Sequence, residues 1–266
     1  MASGFSVTRL PGFGAIAVAC FFMLYLPIVT LVVYAFNAGS SIAIWQGFSL
    51  RWFVAAWNNE HVIETALRSL NIAVIAASIA TVVAAMAAIA TTRTAPYRGL
   101  TFKYAFINQP LMVPEIVTAV ALLIFFSRVK VWTGYSGLGY LIAAHTAFCI
   151  PFAYMPIRAR LESMDLTLER AAADLYATPW QAFRRVTFPL LWPGILSGYM
   201  LAFVISLDDV VITEFVKSGG QDTLPTYMLG QIRRAVTPET NAISTVFLVI
   251  SVVIVTVFFL INRKRR

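Results

Sequence analysis

The chain has 266 residues, of which 59% are hydrophobic and 12% charged, with a mean hydropathy of +0.78 and a formal net charge of +8. A soluble domain of this composition would aggregate, and the apolar residues come in runs of the roughly 20 residues that a bilayer crossing needs. The positive charge does not mark a nucleic-acid binder, because it gathers in alternate segments between apolar runs, the positive-inside pattern of a membrane protein.

Six spans are predicted in chain order, at 13–36, 69–90, 104–127, 138–157, 194–214 and 242–262. Pro27, Pro110, Pro114 and Pro151 lie inside them, which membrane helices tolerate when neighbours satisfy the freed backbone groups. The expected fold class is an all-α integral membrane bundle of six transmembrane helices. The first span follows Arg9 and, at about 24 residues, is longer than a signal-peptide core of 7–15, so it reads as an anchor. The segment 37–64 carries Trp45, Phe48, Trp52, Phe53 and Trp57, the aromatic residues of an interfacial belt. Loops at 91–103 and 128–137 are short, whereas 158–192 and 216–240 are long. Arg9, Arg93, Arg98, Lys103, Arg158, Arg160, Arg170, Arg184, Arg185 and the tail Arg263-Lys264-Arg265-Arg266 all fall on one side, which places both termini in the cytosol. Cys20 and Cys149 fall within spans, have no metal-ligand spacing and read as buried free thiols.

The polar segment between the fourth and fifth spans is the most distinctive. Thr167 can cap a short helix with Glu169 in its first turn, followed by the strong helix formers Ala171, Ala172 and Ala173. Thr178-Pro179-Trp180-Gln181 is a capping box with proline at the first helical position. The second helix sets Trp180, Phe183 and Val186 on an apolar face, with Arg184 and Arg185 off it and Pro189 as the stop. Two readings fit: a rigid knob for a docking partner, or an amphipathic helix on the inner leaflet.

Acids inside the spans are the second signal. Glu115 lies about 11 residues into the third span, near mid-depth. Asp208 and Asp209 lie about two-thirds along the fifth, with Glu214 at its end. Each such charge costs at least ~2.5–3.5 kcal/mol at the bilayer centre, and no Lys or Arg shares their depth, so a transported cation is one partner that fits. Structural capping is the other reading, above all for Glu115, which follows Pro114. Adjacent helical residues point about 100° apart, so one Asp is expected to face a path while the other bonds a neighbouring helix.

Arg170-Ala171-Ala172, three residues, Tyr176, nine residues, Val186, one residue and Phe188-Pro189 keep every spacing of the EAA loop, and the chain resembles the type I, binding-protein-dependent permeases of ABC importers. Phe48-Ser49-Leu50-Arg51-Trp52, Met112-Val113-Pro114-Glu115-Ile116-Val117, Ser206-Leu207-Asp208-Asp209-Val210-Val211 and Pro238-Glu239-Thr240-Asn241-Ala242 are similar to segments of spermidine/putrescine permeases. The resemblance implies a type I permease fold with a cytosolic coupling helix. It implies an N-terminal helix and external segment at 1–62, a transmembrane domain at 63–262 with the loop at about 165–190, and a basic tail at 263–266. Glu169, Arg170, Ala171, Ala172, Asp174 and Tyr176 are then the residues of ATPase coupling, and Asp208, Asp209 and Glu115 those of the substrate pathway. The implied partners are a cytosolic ATPase in two copies, a second similar permease, an external binding protein and the lipid of a bacterial inner membrane. No cofactor is expected.

Two positions depart from the family pattern: Arg170 stands where it has Glu, with Glu169 adjacent, and Tyr176 stands at its Gly. A left-handed Tyr176 would cost about 1–2 kcal/mol. A permease for another small solute, such as an opine, an amino-acid-like solute or an anion, is the alternative within the class. A secondary transporter would use the acids as an ion relay but leaves the capped loop unexplained. An intramembrane enzyme lacks support: His61 and His145 are the sole histidines, and no HExxH or GxxxxGK[ST] occurs.

Overall fold

Each apolar run folds as helix, and among the described residues six helical stretches are long and apolar enough to cross a membrane: Gly14–Ala35, Glu60–Thr92, Glu115–Thr133, Gly139–Ser163, Pro179–Asp208 and Pro238–Leu260. The structure, a computed structural model, describes residues 13–42, 44–93, 98–234 and 237–263. Arg9 and the basic tail at 264–266 lie outside the described residues. Among those described, the one extended pairing is an isolated antiparallel bridge between Asn37 and Phe48.

The chain divides into two units. The first comprises Met1–Glu60 and Gly230–Ile250. Its helix α1 (Phe13–Ala35) is apolar all round and exposed along almost all its length, as a helix solvated by lipid should be. Cys20, expected to be buried, is exposed on it. The loop after α1 is organised by one buried side chain. Asn37 donates from Nδ2 to the carbonyls of Ser41 and Ile44 and accepts at Oδ1 from the N–H of Gln46, which satisfies a loop that turns back on itself. Trp52, in α2 (Arg51–Asn58), donates from Nε1 to the Asn37 carbonyl at 3.0 Å. The aromatic belt is thus partly a packed cap: Phe36 stacks on Phe48, while Trp45 and Trp57 stay exposed.

The second unit, His61–Leu229 with Ser251–Arg266, holds the core. In α3 (Glu60–Thr92) a stripe of Ala73, Ala76, Ala77, Ala80, Ala84 and Ala88 is fully buried. Small side chains at helical spacing let backbones approach, which is how helices associate where hydrophobicity gives no preference for protein over lipid. The predicted third span is two helices, α4 (Leu100–Met112) and α5 (Glu115–Thr133), because Pro114 has no N–H and forces Val113 to φ −96°, ψ 138°. Glu115 therefore opens α5 instead of lying 11 residues into a continuous span.

The fourth span is α6 (Gly139–Ser163). The fifth begins far earlier than expected. A short turn, α8 (Pro179–Ala182), runs through a π-helical turn at Phe183–Thr187 into α9 (Phe188–Asp208), so that Pro189 does not stop the helix. The Phe188 N–H bonds the Phe183 carbonyl, five residues back, and this widened turn carries the chain past the proline. Against α6, α9 sets Gly194 and Gly198; a Cβ on Gly198 would come within 2.6 Å of the Ala153 carbonyl. The Gly-x-x-x-Gly spacing was there to be read in the sequence as a close helix contact. After α9 come α10 (Val211–Val216), α11 (Leu224–Arg234) and α12 (Pro238–Arg263).

Candidate functional site

The intramembrane acids meet at a break. Helix α9 ends at Asp208 because Asp209 turns extended, at φ −64° and ψ 131°. Its freed side chain caps α10: Asp209 Oδ1 accepts the Ile212 N–H at 3.1 Å, and Oδ2 accepts the N–H and the hydroxyl of Thr213, each at 2.8 Å. Carboxylates prefer this position, where the first N–H groups of a helix lack partners. Asp209 is 6% exposed, whereas Asp208 is exposed. The two Asp side chains thus part at a chain break rather than by a 100° rotation, Asp209 bonding α10 and Asp208 left exposed.

His145 of α6 completes the cluster, and nothing in its sequence neighbourhood marked it. Its Nδ1 lies 2.8 Å from Ser206 Oγ and its Nε2 2.9 Å from Thr213 Oγ1, with Asp209 Oδ2 at 3.4 Å. One imidazole therefore joins α6, α9 and α10. One turn further along α6, the buried Cys149 Sγ lies 3.4 Å from the Ala202 carbonyl. Glu115 reaches the same break from α5, which packs along α10, and its carboxyl lies beside Asp209. Among the described residues no group of three or more His, Cys, Asp or Glu could hold a metal ion.

Glu214 is not left for a solute. Lys217 Nζ lies 2.6 Å from its Oε2 and 2.7 Å from Asp222 Oδ1. Partial burial pulls the Lys217 ammonium down, but hydrogen bonds to Asp222 and Glu214 outweigh it and hold its pKa above the usual value. A cavity of about 560 Å³ among α3, α4, α5 and α6 is lined by Val83, Phe106, Thr118, Phe125 and Phe148 with other mainly apolar neighbours. It offers a cation no carboxylate.

The loop between α6 and α9 is the second candidate site. Helix α7 (Thr167–Asp174) carries Glu169, Arg170, Ala171, Ala172 and Asp174. Thr167 does not cap it. Asp165 Oδ1 accepts the Thr167 N–H at 2.9 Å instead, and that bond holds the Asp165 carboxyl below its usual pKa. Glu169 is the anchor: its Oε1 accepts from Arg93 Nε at 3.2 Å and from the Thr187 hydroxyl at 3.0 Å. Arg170 beside it is exposed.

At the end of α7 the Ala177 N–H reaches the Ala172 carbonyl at 3.0 Å and the Tyr176 N–H reaches that of Ala173 at 2.9 Å. Those two bonds are the Schellman pattern, whose turning residue is left-handed and usually glycine. Tyr176 occupies it at φ 60°, alone among the described non-glycine residues in having positive φ. The predicted capping box is present: Thr178 Oγ1 accepts the Gln181 N–H, and Gln181 Oε1 accepts the Thr178 N–H. The corner between the two caps exposes apolar surface, with Leu175 at 82%, Tyr176 at 95% and Trp180 at 66%, the last stacked on Phe183. The corner is thus an ordered, exposed patch of aromatic and aliphatic side chains.

Broken spans with acids at the breaks, and a doubly capped polar corner, describe a multi-pass membrane permease. The chain belongs to the family of binding-protein-dependent transport system inner membrane components, whose model matches residues 100–264. It is thus a permease component of an ABC importer, in which ATP hydrolysis is the work of a separate subunit. It is 35% identical to the putrescine transport system permease protein PotI of Escherichia coli K12 over 91% of this chain and 87% of that one. With the spermidine/putrescine permease PotC it shares 33% in E. coli K12, over 95% and 94% of the two chains, and 37% in Haemophilus influenzae, over 91% and 92%. Solved structures agree on the fold. A bacterial ABC transporter that imports the acidic polysaccharide alginate gives a TM-score of 0.71 at 18% identity over 93% of each chain. The methionine transporter MetNI gives 0.63 at 19%, over 76% of this chain and 94% of that one.

Proposed function

We propose that this permease imports a polyamine, a cation of the putrescine or spermidine kind, across a bacterial inner membrane. The observation that carries the substrate class is its 33–37% identity with polyamine permeases across more than nine-tenths of the chain. The carboxylates at the α5 and α9–α10 breaks support it, because an ammonium stripped of water needs compensating charge on its path. Both termini lie in the cytosol, in keeping with the basic segments. A binding protein delivers the solute outside, and a second permease completes the path. Two copies of the ATPase drive the cycle.

Coupling runs through the loop from Glu169 to Tyr176. Glu169 holds it to the ends of α3 and the π-helical turn, while Leu175, Tyr176 and Trp180 meet the ATPase. Arg170, Ala171, Ala172 and Asp174 complete the contact. Closing of the ATPase dimer moves this corner, and the spans rock between inward and outward access.

The test is the initial rate of labelled putrescine and spermidine uptake in source cells lacking the gene, complemented with the wild type or Asp208→Asn at matched membrane abundance. Uptake restored by the wild type, abolished by ATP depletion and weakened by Asp208→Asn is the expected result. Complemented cells that take up neither polyamine would overturn the substrate class.

A further inference from the structure

The carboxylates at the break are not equivalent, and their hydrogen bonds say how they divide. Asp209 receives three donors, two from the backbone of α10 and one from the Thr213 hydroxyl. That hydroxyl has spent its one proton on Asp209, so His145 Nε2 must donate to Thr213 Oγ1, leaving Nδ1 to accept from Ser206. A neutral imidazole with its proton on Nε2 satisfies every member of the chain. Such a network is complete without a solute, and a buried group already satisfied gains little from a cation that must displace its partners. Asp208 and Glu115, by contrast, have exposed side chains, although the Glu115 carboxyl lies beside Asp209.

We infer that Asp209 is a positioning residue, the cap of α10 locked by His145 and Thr213, and that the solute's ammonium groups meet Asp208 and Glu115 instead. This rests on the polyamine reading above. The cap fixes where α9 stops, and so where Asp208 projects. It also fixes the N-terminus of α10, along which α5 carries Glu115. Asp209 thereby sets the spacing of two carboxylates without touching the cargo.

The consequence is an asymmetry between charge and shape. Asparagine keeps one acceptor oxygen, enough for the two Thr213 donors that Asp209 Oδ2 takes, whereas alanine caps nothing. In the assembled transporter, Asp209→Asn is expected to keep the putrescine KM within about twofold and at least roughly a third of the maximal rate, with Asp209→Ala losing about tenfold in rate. Asp208→Asn is expected to raise KM about tenfold, the loss of a charge that binds the solute. A KM for Asp209→Asn raised as far as that for Asp208→Asn would overturn the inference and make Asp209 a cation ligand. If Asp209→Ala fails to insert, the asparagine variant's KM still decides.

A second readout needs no solute. In a Cys20→Ala background, Cys149 reports on the α6–α9 contact beside His145. Its alkylation by a membrane-permeant maleimide should rise about fivefold or more in Asp209→Ala and stay within about twofold of the parent in Asp209→Asn and Asp208→Asn. Unchanged protection in Asp209→Ala would sink the positioning role. Absence of putrescine uptake by the wild type would sink the import reading alone, leaving the thiol result to judge the cap.

Discussion

Arg93, at the end of α3, donates from Nε to Glu169 Oε1 at 3.2 Å, across 76 residues of sequence. The acceptor oxygen also takes the Thr187 hydroxyl, so a single carboxylate ties α3, α7 and the π-helical turn together. Glu169 thus supplies a carboxylate at the position adjacent to the family's glutamate, which is Arg170 here. Glu169→Gln keeps an oxygen for Thr187 but loses the ion pair. Because both side chains are partly exposed, at 16% and 23%, the expected loss is about 1 kcal/mol. Limited proteolysis of the purified transporter should cut between α7 and α8 several-fold faster in Glu169→Gln, with Arg170→Gln close to the wild type.

Tyr176 combines two opposed features, a strained backbone and an almost fully exposed ring. Tyr176→Gly relieves about 1 kcal/mol of left-handed strain while removing the ring, and Tyr176→Ala removes the ring but keeps the strain. If the ring contacts the ATPase, both variants weaken association of the purified subunits by about tenfold, a loss of the size expected for a buried aromatic contact. Membrane insertion stays intact in both. Association restored in Tyr176→Gly alone would assign the effect to the backbone.

Gly198 lets α9 lie on α6 at a distance that no side chain permits. A Cβ there meets the Ala153 carbonyl, which belongs to the α6 backbone and cannot swing aside. Gly198→Ala is expected to cost about 1–3 kcal/mol as the helices separate. The loss should appear as a lower Tm in detergent, whereas alanine at Gly230, with open space around its Cα, should leave Tm near that of the parent.

The pairing of Lys217 with Glu214 and Asp222 makes a prediction in pH. Its folded pKa is raised, so the stabilisation is fully present below the ordinary value of about 10.5 and is lost as pH rises through the raised one. The Tm difference between wild type and Lys217→Met should therefore hold constant from about pH 7 to pH 10 and narrow above that range. A difference that closes near neutral pH would contradict the pairing.

Much of this architecture was legible because lipid imposes length and apolarity on whatever crosses it. Six spans, the capping box at Thr178 and the corner at Tyr176 arise from local rules that a single segment obeys or breaks. What escaped needed partners. Pro114 and Pro189 look alike as residues, yet one divides a span and the other is absorbed by a π-helical turn, a difference set five residues upstream. Thr167 does not cap because it already lies inside α7, with its own N–H taken by Asp165 Oδ1. His145 and Asp209 are 64 positions apart and acquire meaning only when α6 and α9 lie side by side.

The uninterrupted run from Pro179 to Asp208 has a mechanical meaning. Thirty residues at 1.5 Å each make a rod of roughly 45 Å with the aromatic corner at one end and the Asp208–Asp209 break at the other. The run stays helical throughout: the wide turn at Phe183–Thr187 is itself hydrogen-bonded, and α9 continues through Pro193, which donates no backbone hydrogen bond and marks where the rod can bend. A sideways push of about 5 Å at Trp180, pivoting at the far end, would tilt a straight lever of this length by about 6°. The aromatic corner and the Asp208–Asp209 break thus sit at opposite ends of one piece of secondary structure.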